Sequence, residues 1–499
     1  MEDEMTKLVN LPESPIECNN LIAGKWVGPV AGERVGVVSP WSGKDIGSVP
    51  MSDARDVERA VQGATEAYDG WQKAPLRERC QHLFALRQLM LDHLDELGNL
   101  AAAESGKTVA EGRAGVLKGI EIIEFAASLQ NMDDGAHLEV SRGVTCETRR
   151  EPLGVVAGIT PFNFPAMVPM WMFPNALATG NAFILKPSEK VPLTAQRMGE
   201  LVLEADFPKG IFSIVHGGRE AVEALCDHRD VQAVGFVGST PIAKSVYSRA
   251  TANGKRALGL GGAKNHFIVL PDADPEVTVD GVVRSFTGCA GQRCMAASLM
   301  VAVGDVDHLI EKIALHTKTL KLGVDMGAII EKSAHERLQN DLDQAVKEGA
   351  ELLLDGRGAE APAPELAGGY WLKPSILDRA TFDMECANRE LFGPILTIVH
   401  VDTLDEALAL QSKSPYGNAY SVFTTRGATA RYVAENAEAG MVGINIGVPV
   451  PREPFSFGGA KASKFGSHDM TGWGGVDFWT KLKKVTTKWA LQPDATWMS

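Results

Sequence analysis

From residue 52 to residue 72 apolar side chains return at Val57, Ala60, Val61 and Ala64, the spacing that lines one face of an α-helix, and residues 76–100 continue the period. The first quarter of the chain is therefore expected to be helix-rich. Near residue 153 the period changes to short β-branched runs at 153–159, 182–185, 211–215, 233–237, 266–270 and 299–303, separated by amphipathic helical stretches. Strands alternating with helices at this spacing pair in parallel, because each crossover helix returns the chain to the same end of the sheet, so a doubly wound α/β sheet is predicted. A second set of such units over roughly 264–450, with helices at 306–320 and 335–349 and a strand at 396–401, predicts a second α/β domain. Residues 357–369, rich in Gly, Ala and Pro, read as a surface loop. Two polar, alternating stretches, 138–150 and 476–489, are expected to pair as edge strands or to reach a neighbouring subunit.

Composition narrows the class. At 499 residues the chain exceeds what one core fills, so two or three domains are expected. With 45% hydrophobic and 22% charged residues it is an ordinary globular composition, which excludes disorder. A formal net charge of −14 argues against non-specific nucleic-acid binding and against a polybasic membrane surface, since both need the opposite field. Apolar runs are too short to span a bilayer, and the opening M-E-D-E-M-T-K-L-V-N is acidic where a signal peptide would be basic and then apolar, so a cytoplasmic location is expected. Seven cysteines, odd in number and without C-x-x-C pairs, fit neither a disulfide framework nor a zinc site, and no metal is expected.

Four segments could carry chemistry. T-G-C-A-G-Q-R-C-M-A at 287–296 sets Cys294 after a Gly-rich turn and beside Arg293. Positive charge or backbone N–H groups there could draw a thiol toward its nucleophilic thiolate; Cys289 competes on the same logic, and a packed, inert cysteine is the commoner outcome. G-I-T-P-F-N-F-P at 158–165 presents Asn163 from a Pro-bounded turn, where its carboxamide could donate to a developing oxyanion or simply cap the turn. The run 181–185 leads into K-P-S-E, with Lys186 and Glu189, and 233–237 leads into G-S-T, with Gly238 and Ser239. Both fall at strand C-terminal ends, where open parallel sheets bind ligands: a Gly-Ser turn can hold a pyrophosphate and a Lys with a carboxylate can hold ribose hydroxyls. Each alternative, a solvated Lys or a capping Ser, is also common. The G-x-G-x-x-G fingerprint is absent, because the stretch from Gly238 ends in Ala243.

Taken in order, P-F-N-F-P, L-K-P-S-E, F-V-G-S-T, G-G-A-K-N-H, G-Q-R-C, E-L-F-G-P and P-F-S-F-G-G-A-K resemble the aldehyde dehydrogenase superfamily over almost the whole chain. Within it the chain is most similar to the methylmalonate-semialdehyde dehydrogenases, the coenzyme A-acylating branch, through G-G-A-K-N-H-F-I-V-L-P-D-A-D, A-G-Q-R-C-M-A and P-F-N-F-P-A-M-V-P-M-W-M-F-P. The resemblance implies an NAD-binding domain (1–130 and 153–262), a catalytic domain (263–465) and a small oligomerisation element (131–152 and 466–499), assembled as homodimers or homotetramers. It implies Cys294 as nucleophile and Asn163 with the Cys294 backbone N–H as oxyanion hole. Lys186 and Glu189 would meet the adenosine ribose, Gly238 and Ser239 the pyrophosphate, and Phe162, Glu390 and Phe392 the rest of the cofactor, with Glu390 and Phe392 at the nicotinamide ribose and ring. A carboxylate at Glu189 would repel a 2′-phosphate and so favours NAD over NADP.

Hydrolytic members carry a glutamate 34 residues before the nucleophile, where it activates water; here that position is Leu260. A leucine moves no proton, so the acyl group is expected to leave on the thiol of coenzyme A, which needs little activation near neutral pH. The resemblance implies attack of Cys294 on a small semialdehyde, hydride transfer, loss of a substrate carboxylate as carbon dioxide, and acyl transfer from the Cys294 thioester. Two arginines hold the substrate carboxylate in the resembling enzymes; one corresponds to Arg293, the other to Lys118, which keeps the charge but loses the bidentate fork. Trp171, Met167, Met170, Phe286 and Phe457 are candidates for the apolar wall of the aldehyde tunnel. A hydrolytic enzyme releasing a free acid, and a catalytically silent homologue that binds NAD, are the competing readings.

Overall fold

The computed structural model describes residues 8–133 and 135–489; the ends of the expected first and last segments, 1–7 and 490–499, and residue 134 lie outside them. Five parallel strands form the centre of an eight-stranded sheet, in the spatial order Arg256–Leu260, Val231–Val237, Val155–Ile159, Ala182–Lys186, Phe212–Ile214. Antiparallel strands finish both edges, Lys464–Phe465 on one side and the hairpin Asn20–Ile22 with Lys25–Val27 on the other. The chain thus winds outward from Val155–Ile159 in both directions, and the sheet has its topological switch point between that strand and Val231–Val237. Val155–Ile159 and Ala182–Lys186 are buried at every position, which is why they read as continuous apolar runs and not as alternating ones.

A seven-stranded sheet holds the later strands, ordered Glu351–Leu354, Ser375–Asp378, Ile395–Val401, Ala297–Val303, Asn265–Val269, Ala419–Phe423, Met441–Ile444. Only its Glu351–Leu354 edge is antiparallel. A third sheet is antiparallel and three-stranded: Thr480–Lys488 pairs with Val144–Pro152, which pairs with Ala136–Ser141. The two polar stretches therefore pair with each other, as their alternation suggested, although residues 476–478 belong to the helix Gly472–Phe478. Every position of the outer strand Ala136–Ser141 is exposed.

The helical face read at the start of the chain is the observed one. Helix Ala54–Trp71 begins at Asp53, whose side chain accepts from the Arg55 N–H, and buries Val57, Ala60, Val61 and Ala64. Helices Leu76–Asp92, Leu94–Ser105 and Val109–Ser128 follow. Residues 16–50 depart from the helix-rich expectation: they carry five strands of two to six residues, too short and too Gly-broken for a period to emerge. Arg256–Leu260, five residues with Gly259 inside, escaped for the same reason. Loop 357–369 is irregular apart from one turn at Pro364–Leu366, yet it tucks Leu366 into the core of the second sheet.

Candidate active site

A cleft of about 800 Å³ opens at the C-terminal ends of the first sheet's strands. Val155–Ile159 runs into the turn that carries Phe162 and Asn163; Ala182–Lys186 ends on Lys186; Val231–Val237 runs into Gly238 and Ser239. Gly238 lets the turn pass close to the Phe236 ring, since a Cβ there would stand 2.6 Å from the ring tip and push it aside. Ser239 is the N-cap of helix Thr240–Ala252, and its side chain makes no cap hydrogen bond, so the hydroxyl and the open first-turn N–H groups remain available at the positive end of the helix dipole. Lys186, 4% exposed, sets its Nζ 3.3 Å from Glu189 Oε2. Burial pulls the Lys186 ammonium below its ordinary value and Glu189 opposes this; burial is also the largest influence on the Glu189 carboxyl and raises it, but Lys186, a backbone N–H and Lys190 together hold the group below the usual range.

The facing wall comes from the second sheet. Cys294 lines the cleft, whereas Cys289 is 6% exposed and does not. Two carboxamides hold the Cys294 segment: Asn265 Nδ2 donates to the Cys294 carbonyl at 2.8 Å and Asn418 Nδ2 donates to the same oxygen at 3.0 Å. From the opposite wall Asn163 Nδ2 donates to the Gln292 carbonyl at 3.0 Å, which brings its carboxamide to within two residues of the sulfur along the chain. Gln292 is itself locked, donating through Nε2 to the Ala328 carbonyl (3.2 Å) and accepting the Ile330 N–H at Oε1 (3.0 Å).

Three carboxylates line the cleft: Glu189, Glu223 and Glu390. Glu189 is paired with Lys186, and Glu223 with Arg219 at 2.6 Å. Glu390 accepts the Ala263 N–H at 3.0 Å, and burial pushes its carboxyl up to about 7, against the pull of that N–H and of Lys264. Gly262 leaves the room that this carboxylate occupies: a Cβ there would lie 2.2 Å from Glu390 Oε2 and would displace it. Burial and then the charge of Glu390 push the Cys294 thiol up to about 12, so the resting sulfur is protonated. Phe162 and Phe392 meet edge to face, 5.8 Å between centroids, with Phe392 in a left-handed conformation (φ 59°). Leu260 is 3% exposed and its carbonyl accepts the Gly238 N–H, so its place at the strand end carries an aliphatic side chain.

The expected residues divide cleanly. Cys294, Asn163, Phe162, Lys186, Glu189, Gly238, Ser239, Glu390 and Phe392 all line this one cleft. Arg293, Lys118 and Phe457 do not. The Arg293 guanidinium turns onto the carbonyls of Arg284 and Ser285, at the end of helix Pro275–Thr287, and Lys118 pairs with Glu121 on its own helix. Phe457 packs against Trp171 with the rings tilted by 36° and their centroids 4.5 Å apart, and both are at most 3% exposed. Phe286 is fully buried among Phe267, Val282 and Met300 in the core of the second sheet; it is corrected to a packing residue, since its helix turns that face inward.

The model of the aldehyde dehydrogenase family matches residues 26–485. The chain is 43% identical over 478 residues to malonate-semialdehyde dehydrogenase 1 of Geobacillus thermodenitrificans, covering 94% of this chain and 98% of the relative. The chain belongs to the aldehyde dehydrogenase family. Malonate-semialdehyde dehydrogenase 1 of Oceanobacillus iheyensis is 42% identical over the same shares of the two chains. Among solved structures, a provisionally named methylmalonate-semialdehyde dehydrogenase of Sinorhizobium meliloti, complexed with NAD, superposes with a TM-score of 0.94 at 37% identity, covering 97% of this chain and all of that one. The methylmalonate-semialdehyde dehydrogenase of Oceanimonas doudoroffii gives 0.93 at 38% identity, over 96% of this chain and 99% of that one.

Two residues that position the site of this aldehyde dehydrogenase were not singled out in the sequence: Asn265 and Asn418. Each stands at the start of an apolar strand, Asn265–Val269 and Ala419–Phe423. A carboxamide at a buried strand entrance needs partners, and that mismatch is the signal that could have found them. Among the described residues no cluster of three His, Cys, Asp or Glu is arranged to hold a metal, and no helix is long and apolar enough to cross a membrane.

Proposed function

We propose that this enzyme oxidises a small aldehyde of the malonate- or methylmalonate-semialdehyde class with NAD and delivers the acyl group from Cys294 to coenzyme A, in the cytoplasm. The observation that carries the reading is the composition of the cleft, where a sulfur, a carboxamide and a nucleotide-sized groove converge; the chain position expected for a water-activating carboxylate holds Leu260, buried at the end of the strand that leads into the cleft residues Gly261 and Gly262. The groove fits NAD on its own residues. The Ser239 hydroxyl and the open start of helix Thr240–Ala252 suit a pyrophosphate, and the buried Lys186–Glu189 pair suits ribose hydroxyls, with Glu189 repelling a 2′-phosphate. Phe162, Glu390 and Phe392 would hold the nicotinamide end. NAD, when bound, supplies the hydride acceptor and a positively charged ring.

Cys294 adds its sulfur to the aldehyde carbonyl, the thiol proton passing to solvent water in the cleft, so that a C–S bond and an oxyanion form together. Asn163 has one Nδ2 hydrogen on the Gln292 carbonyl and a second free to donate to the oxygen that becomes negative, beside the Cys294 N–H. After oxidation a thioester stands on Cys294, and the aliphatic Leu260 has no basic atom with which to take a proton from water. The thiolate of coenzyme A attacks the thioester carbon, the Cys294 C–S bond breaks, and the sulfur is free again. Arg293 and Lys118 would read the substrate carboxylate once Arg293 swings off its carbonyls.

We assign residues 1–130 and 153–262 to the cofactor domain, 263–465 to the catalytic domain, and 131–152 with 466–499 to a homo-oligomerising element, a reading supported by the exposed strand Ala136–Ser141. Incubation with NAD and malonate or methylmalonate semialdehyde, with and without coenzyme A, tests the chemistry. Acyl-CoA by mass and NADH turnover that requires the thiol are expected; free acid at an unchanged rate would replace the acylating reading by the hydrolytic one.

A further inference from the structure

We infer that Glu111, at the start of a helix in the other half of the molecule, is the positioning residue for the nucleophile segment. The inference rests on Cys294 being the nucleophile, though not on the identity of the acyl acceptor. Residues 288–291 bend sharply before Cys294, and two consecutive non-glycine residues, Cys289 (φ 53°, ψ 33°) and Ala290 (φ 52°, ψ 39°), are left-handed there. L-residues avoid this conformation, so surrounding contacts must hold it. One contact is the Cys289 N–H, which donates to Glu111 Oε1 at 2.5 Å across 178 residues of chain.

Glu111 is itself fixed. It is the third residue of a capping box on helix Val109–Ser128: Glu111 Oε2 accepts the Thr108 N–H at 3.0 Å, and Thr108 Oγ1 accepts the Glu111 N–H at 3.2 Å. An ordinary capping box employs the carboxylate only to close its own helix. Here the second oxygen reaches over to the segment that carries the sulfur. The same helix start touches the other arm of the site. Lys107, 4% exposed, lies 3.9 Å above the Phe164 ring, next in sequence to Asn163. Asn163 in turn holds the Gln292 carbonyl, and Gln292 Nε2 donates to the Cys289 carbonyl at 3.3 Å. Residues 107–111 therefore grip both the donor turn and the nucleophile turn, and Glu111 sets the distance between sulfur and carboxamide.

The test measures the pre-steady-state burst of NADH without coenzyme A, together with Tm and NAD affinity by fluorescence. In Glu111→Ala the burst rate should fall about 10- to 100-fold, the scale of a misplacement near 1 Å, while NAD affinity changes less than about twofold. Glu111→Gln, which can still accept the Cys289 N–H, should recover most of the rate. Thr403→Ala, which removes the matching capping box on helix Leu404–Lys413 away from the cleft, should lower Tm and keep the burst within about twofold. A Glu111→Ala burst within twofold of wild type, equal losses in Thr403→Ala and Glu111→Ala, or a Gln variant as slow as Ala would each overturn the inference. Should Glu111→Ala fail to fold, the Gln variant decides it, a burst well below wild type overturning the inference. Failure to form acyl-CoA while the burst behaves as expected would sink the acylating reading alone.

Discussion

The cofactor wall of the cleft and the residues expected to read the substrate behave differently. On the cofactor wall every expected residue stands at a strand end and lines the groove: Phe162 and Asn163 after one strand, Lys186 and Glu189 after the next, Gly238 and Ser239 after a third. On the substrate side Arg293 spends its guanidinium on two backbone carbonyls, Lys118 spends its ammonium on Glu121, and Phe457 is packed against Trp171. A groove at a switch point is a property of the parallel sheet and exists before any ligand arrives. A carboxylate site assembled from long cationic side chains has competing partners within reach, and its formation waits for a stronger anion.

The largest effect that could break this contrast concerns the two cysteines. Cys294→Ala should abolish NADH formation, a loss of at least about 10⁴-fold, because the other cysteine on the cleft, Cys226, is fully buried and burial pushes its thiol up to about 11. Cys289→Ala should keep activity within about threefold while lowering Tm by roughly 2–4 °C through the vacated volume. An inactive Cys289→Ala with an active Cys294→Ala would move the nucleophile and undo the assignment of both walls.

A smaller effect sharpens the cofactor side. Burial raises the Glu390 carboxyl to about 7, so in the free enzyme it is protonated below that pH and ionised above. Ribose hydroxyls need the ionised acceptor, and binding below pH 7 must first expel the proton. NAD affinity should therefore weaken by about tenfold between pH 8 and pH 6 in calorimetric titrations, and Glu390→Gln should flatten the curve. An identical slope in the variant would show that another group titrates.

The smallest expected change lies on the substrate side. The Lys118–Glu121 pair is partly exposed, so breaking it costs at most about 1 kcal/mol. Lys118→Ala should raise KM about three- to tenfold for an anionic semialdehyde and leave KM for propanal unchanged. Equal shifts for both substrates would reduce Lys118 to a helix-surface residue.

Legibility followed the same division. Central parallel strands such as Val155–Ile159 and Ala182–Lys186 were visible because both faces are buried and apolar residues dominate the run, whereas Arg256–Leu260, opening on a charged residue, was not. The strands of residues 16–50 were not, because two to six residues with glycines carry no period. Phe286 looked like a tunnel residue by type and proximity, and only the rotation of its helix placed it in a core. Asn265 and Asn418 passed unnoticed because their work is done on a carbonyl brought to them by another strand.

By itself the order of residues determined the two wound sheets, the strand-end turns, and the presence of a sulfur and the absence of a base at Leu260, since these depend on local period and residue type. The tertiary structure alone decided which cysteine faces the cleft, which carboxamides hold it, and that a capping glutamate 178 residues away grips the bend before it. Those are contacts between segments distant in the chain, and their geometry exists only once packing has fixed the two sheets against each other.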